Sequence, residues 1–89
     1  MPFAFEKLLV YQKAVSFADA VCSLTDAFPT RRRFLAEQLN RAALSVAANT
    51  AEGNGRAGRR ARRQFFIIAR GSAHECVPLL EVATRQKLL

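Results

Sequence analysis

Residues 49–75 read NTAEGNGRAGRRARRQFFIIARGSAHE. The stretch holds all four glycines of the chain and the junction between two helical patterns. Upstream of it, Leu35, Leu39, Ala42, Val46 and then Asn49 recur every three or four positions, the spacing of one face of a helix over 31–52. Ala36, Ala43, Ala47 and Ala48 keep the surface of that helix thin and allow close approach of neighbours. Gly53, Gly55 and Gly58 then break it. Downstream, Phe65, Ile68, Ala69, Ser72, Cys76, Leu79 and Ala83 mark the core face of a helix over 59–87. Gly71 inside it costs about 1 kcal/mol relative to alanine, which close packing would offset. Pro78 removes one helical hydrogen bond and predicts a local kink. Asn49 reads either as a buried amide seeking partners on the following turn or as the cap of a fraying helix.

The segment before this hairpin is also helical, over 5–28. One apolar seam runs Leu8, Tyr11, Val15, Ala18, Cys22, and a second runs Val10, Ala14, Phe17, Val21, Leu24, Phe28. Together they cover about half of the helix circumference, so this helix is expected to pack on two sides. Pro29 marks its stop, with Thr30 as the expected N-cap of the next helix. There is no strand-like alternation, low-complexity tract or internal repeat. The reading is therefore a single all-α domain over 1–89, an antiparallel up-down helical bundle with three helices.

The chain has 89 residues, 51% of them apolar, which argues against compositional disorder. A core this small is marginal alone, and oligomerisation is a standard remedy. No apolar run approaches the ~18 residues that cross a bilayer, and MPFAFEK carries no secretion signal. Cys22 and Cys76 stand far apart with no Cys-x-x-Cys, so free thiols and a cytoplasmic location are expected.

The net charge of +7 is unevenly placed. Residues 31–70 carry ten arginines against Glu37 and Glu52, and RAGRRARR at 56–63 has five arginines in eight positions. Such a block points to a polyanion partner or to a solvated basic face. Cations in the first turns of a helix oppose its macrodipole, so Arg59, Arg60, Arg62 and Arg63 are not placed for helix stability. Arg59, Arg63, Phe66 and Arg70 form one outer stripe with Ile67 beside it. Arginine interleaved with aromatics suits RNA, by phosphate pairing and base stacking, and equally suits a subunit interface. The candidate nucleic-acid contacts are Arg31, Arg32, Arg33, Arg56, Arg59, Arg60, Arg62 and Arg63.

GNGRAG at 53–58 matches G-x-G-x-x-G, but the dinucleotide fingerprint needs a strand before it. What survives is a glycine-rich turn opening a helix beside Arg56, a candidate anion site. Ser72, His74 and Glu75 are close in sequence but project in different directions on a helix. No catalytic constellation, metal-ligand cluster, cofactor motif or small-molecule site is evident. A hairpin turning near 53–58 would set Arg70 beside residues near 40, about 15 Å from Glu52 along the axis. A Glu52–Arg70 pair is then expected between subunits.

These residues together resemble the four-helix-bundle family of 23S rRNA intervening-sequence proteins. The resemblance rests on Phe5-Glu6-x-Leu8-x-Val10-Tyr11-Gln12-Lys13-Ala14, Leu24-Thr25 with Phe28-Pro29, and Gln38-Leu39-x-Arg41-Ala42-Ala43-x-Ser45-Val46. Its most specific signatures are Asn49-x-Ala51-Glu52-Gly53-x-Gly55-Arg56 and Ile68-Ala69-Arg70-Gly71-Ser72-x-x-Glu75. The resemblance implies an antiparallel bundle that assembles as a homopentamer. A related branch, the accessory protein of diversity-generating retroelements, binds RNA. It therefore implies a basic, non-enzymatic oligomer with RNA as partner, or a scaffold without nucleic acid. Asn49, Glu52, Gly53, Gly55, Phe66, Ile67, Arg70, Gly71, Ser72 and Glu75 are then candidates for family motif or oligomer interface. Two departures stand out. The family's fourth helix is not visible here, which predicts exposed apolar surface. And Ala61, Arg62 and Arg63 precede Gln64-Phe65, where the family carries an acidic residue.

Overall fold

Three helices follow one another in the computed structural model: α1 (Pro2–Thr25), α2 (Arg33–Gly55) and α3 (Arg59–Arg85), with a 3₁₀ turn (Thr30–Arg32) before α2. The structure describes residues 2–89, with side chains from Lys7 onward. Phe5-Glu6 of the opening motif thus lies outside the described side chains. Among the described residues there is no strand, and no helix is long and apolar enough to cross a membrane.

α1 buries Ala14, Ala18, Val21 and Thr25 at alternating spacings of four and three, a stripe of mostly small side chains that lets α2 approach closely. Most of the remaining apolar positions of its two seams, Leu8, Val10, Tyr11, Val15 and Leu24, stay exposed. The helix ends at Thr25, three residues before the expected limit. The cause is Pro29, whose ring disfavours helical backbone at Phe28, and residues 26–28 turn instead. Thr25 Oγ1 shares its proton between the Cys22 carbonyl (3.1 Å) and Asn40 Oδ1 (2.8 Å), which pins the end of α1 to α2. Thr30 does not cap α2. It opens the 3₁₀ turn, and α2 begins at Arg33 with no side-chain cap.

α2 runs on through Gly53 and Gly55, three residues beyond the expected break. Only Arg56–Gly58 connect it to α3. Arg32 Nη2 donates to Gln86 Oε1 (2.8 Å), Ser45 and Ser72 hydroxyls lie 2.7 Å apart, and Gly53 meets Phe66, so α3 returns antiparallel in a tight register. Asn54 Nδ2 donates to the Lys7 carbonyl (3.1 Å) at the other end of α1. This register sets Arg70 level with residues near 48 rather than 40, because the hairpin turns later and more sharply than the glycines suggested.

α3 presents Phe65, Ala69, Ser72, Cys76, Leu79 and Ala83 to α2 with the four-three alternation of a coiled-coil seam. Ala69, Cys76 and Ala83 are buried; Ile68, expected in the core, lies off this seam and is exposed. Gly71 does not mark close packing either, since a Cβ built there meets nothing within 4 Å. The helix passes through Pro78 and closes on a Schellman turn: Leu88 N–H donates to Ala83 O, Lys87 N–H to Thr84 O, and Lys87 takes φ 60°.

The core is Ala18, Val21, Leu39, Ala42, Ala43 and Cys76, flanked by Phe17, Ala47, Leu79 and Leu80. Both cysteines are free, and burial, followed by the neighbouring Glu75 charge, raises the Cys76 thiol above its usual pKa. α2 lies between its neighbours: among the described residues no α1 Cα comes within 8 Å of an α3 Cα. The molecule is a rod of 46 × 20 × 17 Å with a radius of gyration of 14.5 Å, against about 12 Å for a compact domain of this length.

Candidate nucleic-acid interface

The outer face of α3 carries an open groove of about 380 Å³ lined by Arg59, Arg62, Arg63, Phe66, Ile67 and Arg70. One helix supplies all six, because positions three and four apart fall on one face. Four arginines line it beside two apolar side chains that stay open to solvent: Phe66 is 37% exposed and Ile67 55%. No acidic side chain lines it. The first turn of α3 holds no acidic residue, so the arginines there oppose the helix dipole at about 0.3–1 kcal/mol each. Arg59–Arg62, Arg59–Arg63 and Arg60–Arg63 repel at i, i+3 and i, i+4 spacing.

Phe66 is seated by Gly53. A Cβ built on Gly53 would lie 2.5 to 2.9 Å from three atoms of its ring, so only a glycine lets that ring rest on the α2 backbone. This is the role of Gly53, which is buried inside α2 and does not break the helix. Gly55 has open space around it.

Arg56 stands apart from the other arginines. Its Nη2 donates to Glu52 Oε2 (2.9 Å), and its guanidinium lies 4.9 Å over the Phe65 ring. Within one chain the Glu52 partner is Arg56. Arg62 Nη1 donates to the Ala57 carbonyl (3.3 Å). Arg59, Arg60, Arg63 and Arg70 make no side-chain hydrogen bond or ion pair among the described residues.

The remaining candidates fall elsewhere. Arg31, Arg32 and Arg33 sit at the far end of α2, about 35 Å away at 1.5 Å per residue; Arg32 is bonded to Gln86, and Arg33 lines a hollow with Asp26 and Glu37. Asn49 Nδ2 donates back to the Ser45 carbonyl (2.9 Å) and Ser45 Oγ (3.0 Å), on the preceding turn rather than the following one. With Ser72 it forms a polar strip inside the α2–α3 contact. Ser72 is thus occupied, while His74, Glu75 and Gly71 are exposed. The three side chains at 72, 74 and 75 do not converge, and among the described residues no three His, Cys, Asp or Glu side chains gather as metal ligands.

A second groove, about 420 Å³, lies along α2 between α1 and α3. It is lined mainly by Val10, Ala14, Phe17, Val46, Val77 and Leu80. Val77 and Leu80 lie outside the core face expected for α3. Their signal was the step Ala73, Val77, Leu80 beside the main seam, which widens the apolar side of α3.

No curated protein and no solved structure matches this chain. The family model for the 23S rRNA-intervening sequence protein matches residues 6–89, nearly the whole chain, and the protein belongs to that family.

Proposed function

We propose that this protein is a non-catalytic, self-associating helical bundle that binds RNA through the outer face of α3. The observation that carries the reading is the groove in which Arg59, Arg63 and Arg70, without a side-chain partner among the described residues, lie beside exposed Phe66 and Ile67. Arginine placed against the helix dipole and against its own neighbours costs stability, and a polyanion removes that cost. Phosphate pairing by Arg59, Arg63 and Arg70, with Arg60 and Arg62 adding field, is the electrostatic part of such a contact.

Self-association is supported by area. The chain exposes 6397 Å², about 1,200 Å² more than the roughly 5,200 Å² that size scaling gives a compact monomer of this mass. A standard interface covers about 800 Å² per partner. The apolar groove over α2 and the exposed Leu8, Tyr11 and Val15 are the surfaces that such contacts would cover. A second reading, an assembly scaffold without nucleic acid, is favoured by the same apolar excess. Light scattering separates the two. The purified chain is measured with and without a structured rRNA fragment at ~50 and ~200 mM salt, where counterion release weakens phosphate contacts. A mass increase with RNA that fades at the higher salt is expected; an oligomer indifferent to RNA at both would establish the scaffold.

A further inference from the structure

We infer that the α3 groove takes an unpaired nucleobase together with its flanking phosphates, so that its ligand is single-stranded rather than duplex nucleic acid; this rests on the nucleic-acid reading above. A duplex offers a protein its phosphates, sugar edges and groove edges, with base faces stacked inside. Exposed Phe66 and Ile67 in one groove with four arginines would meet nothing apolar on such a surface. The face of an unpaired base is the element that matches it, since stacking on an aromatic side chain accepts any base.

The order of groups along the helix fits a strand. Arg63 precedes Phe66 by three residues and Arg70 follows it by four, which sets cations about 4.5 and 6 Å to either side of the ring along the axis. Phosphate, base, phosphate is the order a single strand presents. The ring is also held in place: one edge rests on Gly53, while the rest stays open beside Ile67. A stacking platform fixed before binding loses little side-chain freedom on binding. Stacking does not distinguish ribose from deoxyribose, so the shared ligand chemistry is the unpaired base with its phosphates.

The test uses the full chain and fluorescence anisotropy with four labelled probes of about 12 nucleotides, within the span of single-strand sites: oligouridine, oligodeoxythymidine, an RNA duplex and an abasic strand. The two base-bearing strands are expected to bind alike and about tenfold more tightly than the duplex or the abasic strand. Phe66→Leu keeps hydrocarbon on Gly53 and removes the π face. It is expected to lower single-strand affinity about tenfold, with duplex and abasic binding within about twofold, while Phe66→Tyr keeps the preference. Equal binding of all four probes, lost in Arg63→Gln, would overturn the inference and leave the nucleic-acid reading standing. Binding of oligouridine alone would place recognition on the 2′-hydroxyl and overturn stacking as its source. Failure of every probe to bind would overturn both readings. A Phe66→Leu chain that stays helical but changes its oligomer mass, with probe affinities unchanged, would assign the stripe to a contact between copies. Should Phe66→Leu unfold, the abasic and base-bearing strands on the unaltered protein still decide the question.

Discussion

The two ends of this bundle are both rich in arginine and differ in what the arginines do. At the turn end, Arg32 is bonded to Gln86, Arg85 lies 3.3 Å from Glu81, and Arg33 shares a hollow with Asp26 and Glu37. At the glycine end, Arg56 is held by Glu52 and Phe65, but Arg59 and Arg63, with Arg70 further along α3, share a groove with exposed Phe66 and Ile67 and no acid. The turn end sets Arg31, Arg32, Arg33 and Arg85 among Asp26, Glu37 and Glu81, and the glycine end sets Arg56, Arg59, Arg60, Arg62 and Arg63 beside Glu52. What singles out the glycine end is a groove whose cations lie beside exposed Phe66 and Ile67 with no acid among its lining, whereas Asp26, Glu37 and Glu81 lie among the cations of the turn end.

The sharpest way to break this comparison is to remove the cations of one end at a time. Arg59→Ala, Arg63→Ala and Arg70→Ala together are expected to weaken single-stranded RNA binding at least tenfold and to lower the log–log salt slope by about 2, at ~0.7 per phosphate contact. Arg31→Ala, Arg32→Ala and Arg33→Ala together should stay within about threefold and leave the slope unchanged. Anisotropy titrations across a salt series measure both, and equal losses would dissolve the distinction. The next effect is on stability. Gly53→Ala forces Phe66 off its seat and is expected to destabilise by about 1–2 kcal/mol, overpacking outweighing the gain in helix propensity; urea unfolding followed by circular dichroism reads it. Gly71→Ala, in open space within the same hairpin, should stabilise by about 0.5–1 kcal/mol. If it stabilises the fold but lowers the oligomer mass, Gly71 serves an approach between copies. The smallest change, Lys87→Gly, relieves a left-handed residue in the closing turn of α3. It is expected to add a few tenths to 1 kcal/mol, seen as a small rise in the same unfolding midpoint.

Helix number and type, and most of the α2–α3 seam, were legible because three-four spacing survives in Leu35, Leu39 and Ala42 and in Ala69, Cys76 and Ala83. The outer stripe was legible for the same reason: Arg59, Arg63, Phe66 and Arg70 do share a groove. The register was not. Gly53 and Gly55 carry a low helix propensity that reads as a stop, yet the Phe66 ring compensates Gly53 by packing where a Cβ would stand. That contact joins residues thirteen apart on two helices, and no local pattern encodes it. Ile68 failed differently: it lies next to the seam in sequence, and periodicity alone does not tell a seam residue from its exposed neighbour. Arg56 and Glu52 are four residues apart, a pair that helix spacing alone would have offered had α2 been extended to Gly55.

The central position of α2 also carries a consequence for how the chain folds. Because α1 and α3 do not meet through their backbones among the described residues, the protein is two hairpins that share one helix. The α2–α3 hairpin is closed by three residues, Arg56–Gly58, and short connections carry the least loop-closure entropy. That hairpin is the natural nucleus, with α1 docking afterwards on the Ala18–Val21 stripe. In amide hydrogen exchange, α2 should therefore be the slowest segment, protected from both sides, and α1 should open as a separate unit at lower free energy.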